Sequence, residues 1–251
     1  MGYGASARSC QTGQMTIDRL GALRHVVDRM AAVLSAAPPA SEVPACPEWT
    51  VADLTAHIIS VHRWAASIML STTKQEFPDV RPEDDLAAWY ARMAAALLAT
   101  VDAVDPRETC WTMDPTNRTV AFWRRRQLHE TLVHSVDVAQ ARPGEVAPID
   151  PDVAVDGIDE VLTMWLPRME RRGVSADLVA PVCVRANDTG DAWLVTPRPG
   201  EAPEVTPGVS HESYVAGPAA DVFLMMWKRA AGPVDVHGDA AERFLASRLT
   251  P

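Results

Sequence analysis

Residues Thr119–Ala141 read TVAFWRRRQLHETLVHSVDVAQA, and this stretch decides the fold. Trp123, Gln127, Glu130, His134 and Val138 recur at steps of three and four residues, the rhythm of a helix face that packs inside a bundle. Two ionisable groups therefore stand on a line where a bundle core takes Leu. Glu130 and His134 are one helical turn apart and share that face. A carboxylate carried into a helical interior is costly unless it is paired or bound to a metal. The pattern predicts a helix over 119–141, ended before Pro143.

Working outward, four more segments carry the same rhythm. Leu20, Leu23, Val27, Met30 and Leu34 predict a helix over 15–37, stopped by Pro38 and Pro39. Thr50 stands where an N-cap belongs, with Asp53 three residues on, and the helix it opens runs through Leu54, His57, Val61, Trp64 and Ile68 to about Leu70. A polar loop, 71–82, leads to a third helix over 84–103, facing inward with Leu86, Trp89, Tyr90, Met93, Leu97 and Val101. A fifth periodic segment covers 153–171 and is expected to bend near Pro167. After Gly173 the texture changes. Residues 178–184 and 193–196 are β-type runs around the turn sequence Asn187-Asp188-Thr189-Gly190. A Pro- and Glu-rich loop or edge follows over 197–207, then a helix over 218–230, a short strand over 234–236 and a last helix over 239–249. The layout is an α+β fold, mainly α. It has a lead-in over 1–14 without regular structure, a helical bundle over 15–172 and a small α+β C-terminal domain over 173–251.

Composition narrows the function classes. The chain has 251 residues, 47% hydrophobic and 22% charged, enough for a full core and outside the disordered class. A formal net charge of -10 argues against nucleic acid and against an anionic membrane surface as partners. No apolar run reaches the ~18 residues of a spanning helix, and the N-terminal stretch lacks the apolar core of a secretory signal. The four cysteines, Cys10, Cys46, Cys110 and Cys183, are widely spaced and form no C-x-x-C, which predicts reduced thiols and a cytoplasmic location.

His57 interrupts the apolar stripe of the second helix as Glu130 and His134 interrupt that of the fourth. Bundles build metal sites from inward-facing side chains on adjacent helices. Two imidazoles and one carboxylate with an open position form the donor set of a catalytic zinc site, and equally of a non-haem Fe(II) triad. A satisfied core histidine and an i,i+4 ion pair on a solvated face explain the same residues without a metal. His62 is five positions from His57, about 140° round the helix, so both cannot face one centre. His129 points away from the stripe, His25 reads as a surface residue and His237 as a turn position. Arg124, Arg125 and Arg126 read as a solvated helix face, with anion binding at a pocket mouth as the alternative. Cys46 reads as packed, and no cysteine has an activating neighbour.

Two stretches resemble the mycothiol-dependent maleylpyruvate isomerase family. Cys46-Pro47-Glu48-Trp49-Thr50-Val51-Ala52-Asp53-Leu54-Thr55-Ala56-His57, followed by Trp64, is similar to its first signature. Arg126-Gln127-Leu128-His129-Glu130-Thr131-Leu132-Val133-His134-Ser135-Val136-Asp137 is similar to the second. Residues 217–229 and 234–239 resemble pieces of the family's small C-terminal domain. The resemblance implies a DinB-like four-helix bundle. It implies His57, Glu130 and His134 as ligands of a divalent metal, with Zn2+ the usual occupant, and mycothiol as thiol cofactor or cosubstrate. It also implies Arg229 as a catalytic and cofactor-binding residue that reaches toward the pocket. The expected activity is addition of the activated thiol to a small-molecule electrophile, as a cis–trans isomerase of the maleylpyruvate type or a thiol S-transferase. A metal-dependent hydrolase using activated water and a non-catalytic small-molecule-binding protein are the alternatives.

Overall fold

The structure is a computed structural model that describes residues 17–251. The expected lead-in over 1–14 and the first two residues of the first predicted helix lie outside the described residues. Helix α1 spans Arg19–Ala36, and the Asp18 side chain caps it by accepting from the Gly21 amide. Two short strands follow, β1 (Glu42–Val43) and β2 (Cys46–Thr50), paired antiparallel. This hairpin was not expected, since two residues beside a Cys-Pro step carry no alternation to read. It delivers the chain directly into α2 (Val51–Ser71). There Thr50 and Asp53 form the full capping box, each side chain accepting from the other's backbone amide. Helices α3 (Leu86–Ala103) and α4 (Val120–Gln140) complete a four-helix bundle in which α1 packs on α3 and α4, and α2 on the same two. Leu23, Met30, Leu54, Ile58, Ile68, Tyr90, Leu97, Trp123, Leu132 and Val136 fill its centre. Burying side chains of this size stabilises by about 1.5–3 kcal/mol each.

The fifth segment is helical as expected and starts slightly earlier. Helix α5 (Pro151–Glu160) passes through one π-helical stretch, Val161–Trp165, into α6 (Leu166–Arg171). Pro167 has no amide to continue the α-ladder. Just before it the ladder widens, with Leu166 N–H donating to the Val161 carbonyl five residues back.

The C-terminal segment forms a five-stranded sheet ordered β5-β4-β3-β6-β7. Its strands are β3 (Val182–Ala186), β4 (Ala192–Thr196), β5 (Glu204–Pro207), β6 (Tyr214–Gly217) and β7 (Asp235–His237). Only β3 and β6 run parallel; the other neighbours are antiparallel. The expected strand over 178–184 begins at Val182 instead, because Pro181 cannot donate to a ladder. Strand β6 was missed, being four residues long and set against a helix start. Helices α7 (Ala219–Met226) and α8 (Asp239–Ala246) are both shorter than expected. Helix α7 ends where Lys228 turns left-handed at φ 60°, which swings Arg229 out of the helical path.

Helix α7 packs on β3 and β6 and also on α5, so it ties the sheet to the bundle. The approach is close at Gly157. A Cβ there would meet the ring edge of Phe223, 2.7 Å from Cδ2, and stand 3.1 Å from His129 Nδ1. Gly157→Ala is expected to destabilise by about 1–3 kcal/mol through overpacking. Chemical denaturation of the variant checks it, and an unchanged midpoint would show that the two helices separate freely.

Candidate metal centre

Helix α4 presents Glu130 and His134 one turn apart, and α2 brings His57 against them. His57 Nε2 lies 3.4 Å from Glu130 Oε1, and His134 Nε2 lies 3.3 Å from the same oxygen. One donor atom from each of the three residues falls within 4.8 Å of the other two. The two edges at Glu130 Oε1 fit an ion. Ligand atoms bonded at ~2.1 Å in a tetrahedron are separated by roughly 3.4 Å. The site is not sealed: the side chains of His57, Glu130 and His134 keep 29%, 16% and 10% of their exposure. His57 therefore stands at the rim of the α2 stripe rather than in its middle. The rings of Trp49 and Phe77 flank it at 4.8 and 6.4 Å between centroids, and Phe77 is half exposed.

Two of the three donors, His134 and Glu130, are oriented from behind. Asp137 Oδ2 accepts from His134 Nδ1 at 2.9 Å, which fixes the tautomer and leaves Nε2 to face the centre. Asp137, fully buried, is held in turn by Arg229, whose Nε and Nη2 donate to its two oxygens at 2.8 Å each. Arg229 Nη1 donates to the Trp227 carbonyl. Glu130 Oε2 accepts from Arg126 Nη2 at 2.8 Å. Burial works against the Glu130 charge, but hydrogen bonds from His134 and His57 and the nearby Arg126 outweigh it and hold the carboxyl well below the usual range. Asp137 is lowered in the same way, burial being overcome by Arg229 and His134. Burial alone would lower His134; hydrogen bonds to Asp137 and Glu130 reverse this and raise it to about 9.

His62, His129, His25 and His237 lie outside the centre, His237 in a strand rather than the expected turn. His62 is buried, donating from Nδ1 to Gln127 Oε1 at 2.7 Å with Tyr90 Oη near Nε2. His129 is buried against Asp156, 2.7 Å from Nε2 to Oδ2. His25 is exposed, and His237 ends β7, stacked on Tyr214. The arginine run corrects the expectation of a solvated face. Arg124 donates to the Val101 and Val104 carbonyls, Arg125 reaches Asp156 and Asp159, and Arg126 is only 2% exposed. These guanidiniums have buried carboxylates and carbonyls to meet, which a helical wheel does not show. Glu160 and Asp156, one turn apart on α5, were missed; their signal was two acids placed beside the apolar stripe of that segment. Cys46 lies close enough to feel Asp137, Arg229 and Glu130. Burial and the Asp137 charge push its thiol up, with Arg229 opposing.

This fold and donor set define a helical-bundle protein with a His-Glu-His candidate metal centre. Residues 20–139 match the family described as the mycothiol maleylpyruvate isomerase N-terminal domain. No curated protein sequence matches the chain. Among the solved structures that share its fold are two isomerase structures. A mycothiol-dependent maleylpyruvate isomerase is 16% identical over 87% of this chain and 91% of that one, with a TM-score of 0.61. A histidine-to-alanine mutant of a protein so described gives 15% identity, the same coverage and the same TM-score. The shared fold extends beyond the bundle into the C-terminal segment.

Two outcomes test this geometry. Arg229→Met leaves Asp137 as a buried carboxylate with one partner lost, and is expected to destabilise the metal-free protein by about 3 kcal/mol; an unchanged denaturation midpoint would contradict the bridge. Burial holds His62 at about 4 in the folded protein, below its ordinary 6.5. Between those values the unfolded chain binds the proton and the folded chain does not, so stability falls as pH drops from 6.5 toward 4. His62→Phe is expected to remove roughly 2 kcal/mol of the difference between pH 7 and 4.5. Equal pH slopes in denaturant titrations of the two proteins would refute the assignment.

Proposed function

We propose that the chain is a metal-dependent enzyme that activates mycothiol for addition to an electrophilic small molecule, acting as a cis–trans isomerase of the maleylpyruvate type. The observation that carries this reading is the convergence of His57 Nε2, Glu130 Oε1 and His134 Nε2 within 4.8 Å at a solvent-reached rim. The family match over the bundle and the fold shared with mycothiol-dependent maleylpyruvate isomerase support it. His57, Glu130 and His134 would hold the ion, which we take to be Zn2+. A divalent ion so held would supply the positive charge that favours thiolate over thiol near neutral pH.

The chain's residues account for the rest. Burial raises the thiols of both Cys46 and Cys110, so neither offers a ready nucleophile, and the thiol comes from outside. Asp137 holds a proton on His134 Nδ1, so Nε2 is the nitrogen that would give up its proton to meet the ion. Arg229 uses three of its five N–H donors on Asp137 and Trp227, and the remaining two suit a substrate or cofactor carboxylate. Trp49 and Phe77 flank the approach to His57. The thiolate adds to a cis double bond conjugated to a carbonyl, and the π electrons move onto that carbonyl. The former double bond, now single, rotates. Return of the electrons expels the thiolate and leaves the trans isomer. Release of the adduct before expulsion would make the same site an S-transferase.

His57→Ala and Glu130→Ala are each expected to abolish stoichiometric zinc loading and thiol-dependent isomerisation of maleylpyruvate while helical circular dichroism is retained. A variant that still binds one zinc per chain would sink the ligand assignment. Turnover without added thiol would favour the hydrolase, and a stable thiol conjugate the transferase.

A further inference from the structure

Arg126 lies one turn before Glu130 on α4 and is almost wholly buried. Its two terminal nitrogens are divided between two carboxylates. Nη2 donates to Glu130 Oε2 at 2.8 Å, and Nη1 pairs with Glu160 Oε2 from the end of α5. The guanidinium lies near two indoles, its carbon 5.3 Å from the Trp165 ring centre and 5.5 Å from that of Trp227. Trp165 belongs to the π-helical stretch and Trp227 follows α7, so three separate segments enclose one cation. A guanidinium is planar and forked, and with each arm engaged it cannot turn. The engaged arm takes Oε2 of Glu130, and the free oxygen, Oε1, is the one that both His57 and His134 approach.

We propose that Arg126 is a positioning residue of the metal centre: locked by Glu160 and the two indoles, it occupies one oxygen of Glu130 so that the carboxylate offers the ion only the other. This rests on the metal reading given above. Arg126 touches neither ion nor substrate, and Glu160 neutralises and aims Arg126 rather than joining the ligands. The same contacts would exist if Arg126 served only to tie α4 to α5, and two variants separate these roles. Arg126→Met strips the anchor from Glu130 and also leaves Glu160 buried without its cation. Arg126→Met combined with Glu160→Met removes that second defect, since an apolar pair tolerates the interior where a lone charge does not. It leaves Oε2 of Glu130 without its anchor.

The experiment is a zinc competition titration against a chromophoric chelator, paired with denaturant unfolding of the metal-free proteins. Arg126→Met is expected to lose both stability and zinc affinity, the affinity by roughly 10–100-fold. The double variant is expected to recover stability while its affinity stays reduced by the same factor. Affinity returning to the wild-type value in the double variant would overturn the proposal, as would wild-type affinity in Arg126→Met. If the double variant fails to fold, Arg126→Lys carries the test, because one ammonium cannot span both carboxylates. A roughly tenfold weaker affinity supports the proposal, and unchanged affinity overturns it. Wild-type protein that takes up no zinc overturns the metal reading itself, and this inference with it.

Discussion

The carboxylate of Glu130 is the point on which the structure turns. One oxygen meets imidazole nitrogens from two helices and the other meets a buried guanidinium, so three side chains share a single acid. With both imidazoles deprotonated, as ligands of an ion must be, Arg126, Glu130 and Glu160 together carry a net charge of minus one, while Asp137 and Arg229 cancel. That excess of negative charge beside two converging nitrogens favours a cation there, a proton on His134 or a metal ion in its place. A divalent ion would leave the cluster with one positive charge in excess, which a single thiolate neutralises.

Holding that acid in place takes most of the molecule. The bundle supplies the two helices, and α2 is set by the hairpin and capping box at its start. The backing groups come from further along the chain. Arg229 reaches Asp137 because the turn at Lys228 ends α7 just before it. Trp227 and Trp165 lie against Arg126, and Trp165 sits where the helix widens ahead of Pro167. The close contact of Gly157 with Phe223 lets α5 and α7 approach near enough for this. The centre is thus built where the bundle meets the C-terminal segment, and a shift between the two would loosen His134 through Asp137.

What the sequence disclosed follows from how local each feature is. Polar groups at 130 and 134 in an apolar helical stripe were visible because periodicity is a local property of α4. The Thr50–Asp53 cap was visible for the same reason. Strands β1 and β6 were not, since short strands take their register from partners distant in the chain. The arginine run was misread because burial of Arg126 depends on Glu160, 34 residues away, and on indoles from two other segments. Polarity on a helical wheel says which side is charged; it does not say whether a carboxylate waits across the gap. Asp137 stood in the quoted signature, yet its link to Arg229 joins residues 92 positions apart and needed the fold.

The most direct test is a crystal structure of the zinc-soaked protein with anomalous data at the zinc edge. The account predicts one strong anomalous peak per chain, bonded by His57 Nε2, His134 Nε2 and Glu130 Oε1, with Glu130 Oε2 still on Arg126. A peak elsewhere, or one ligated by Cys46 or by both oxygens of Glu130, would contradict it.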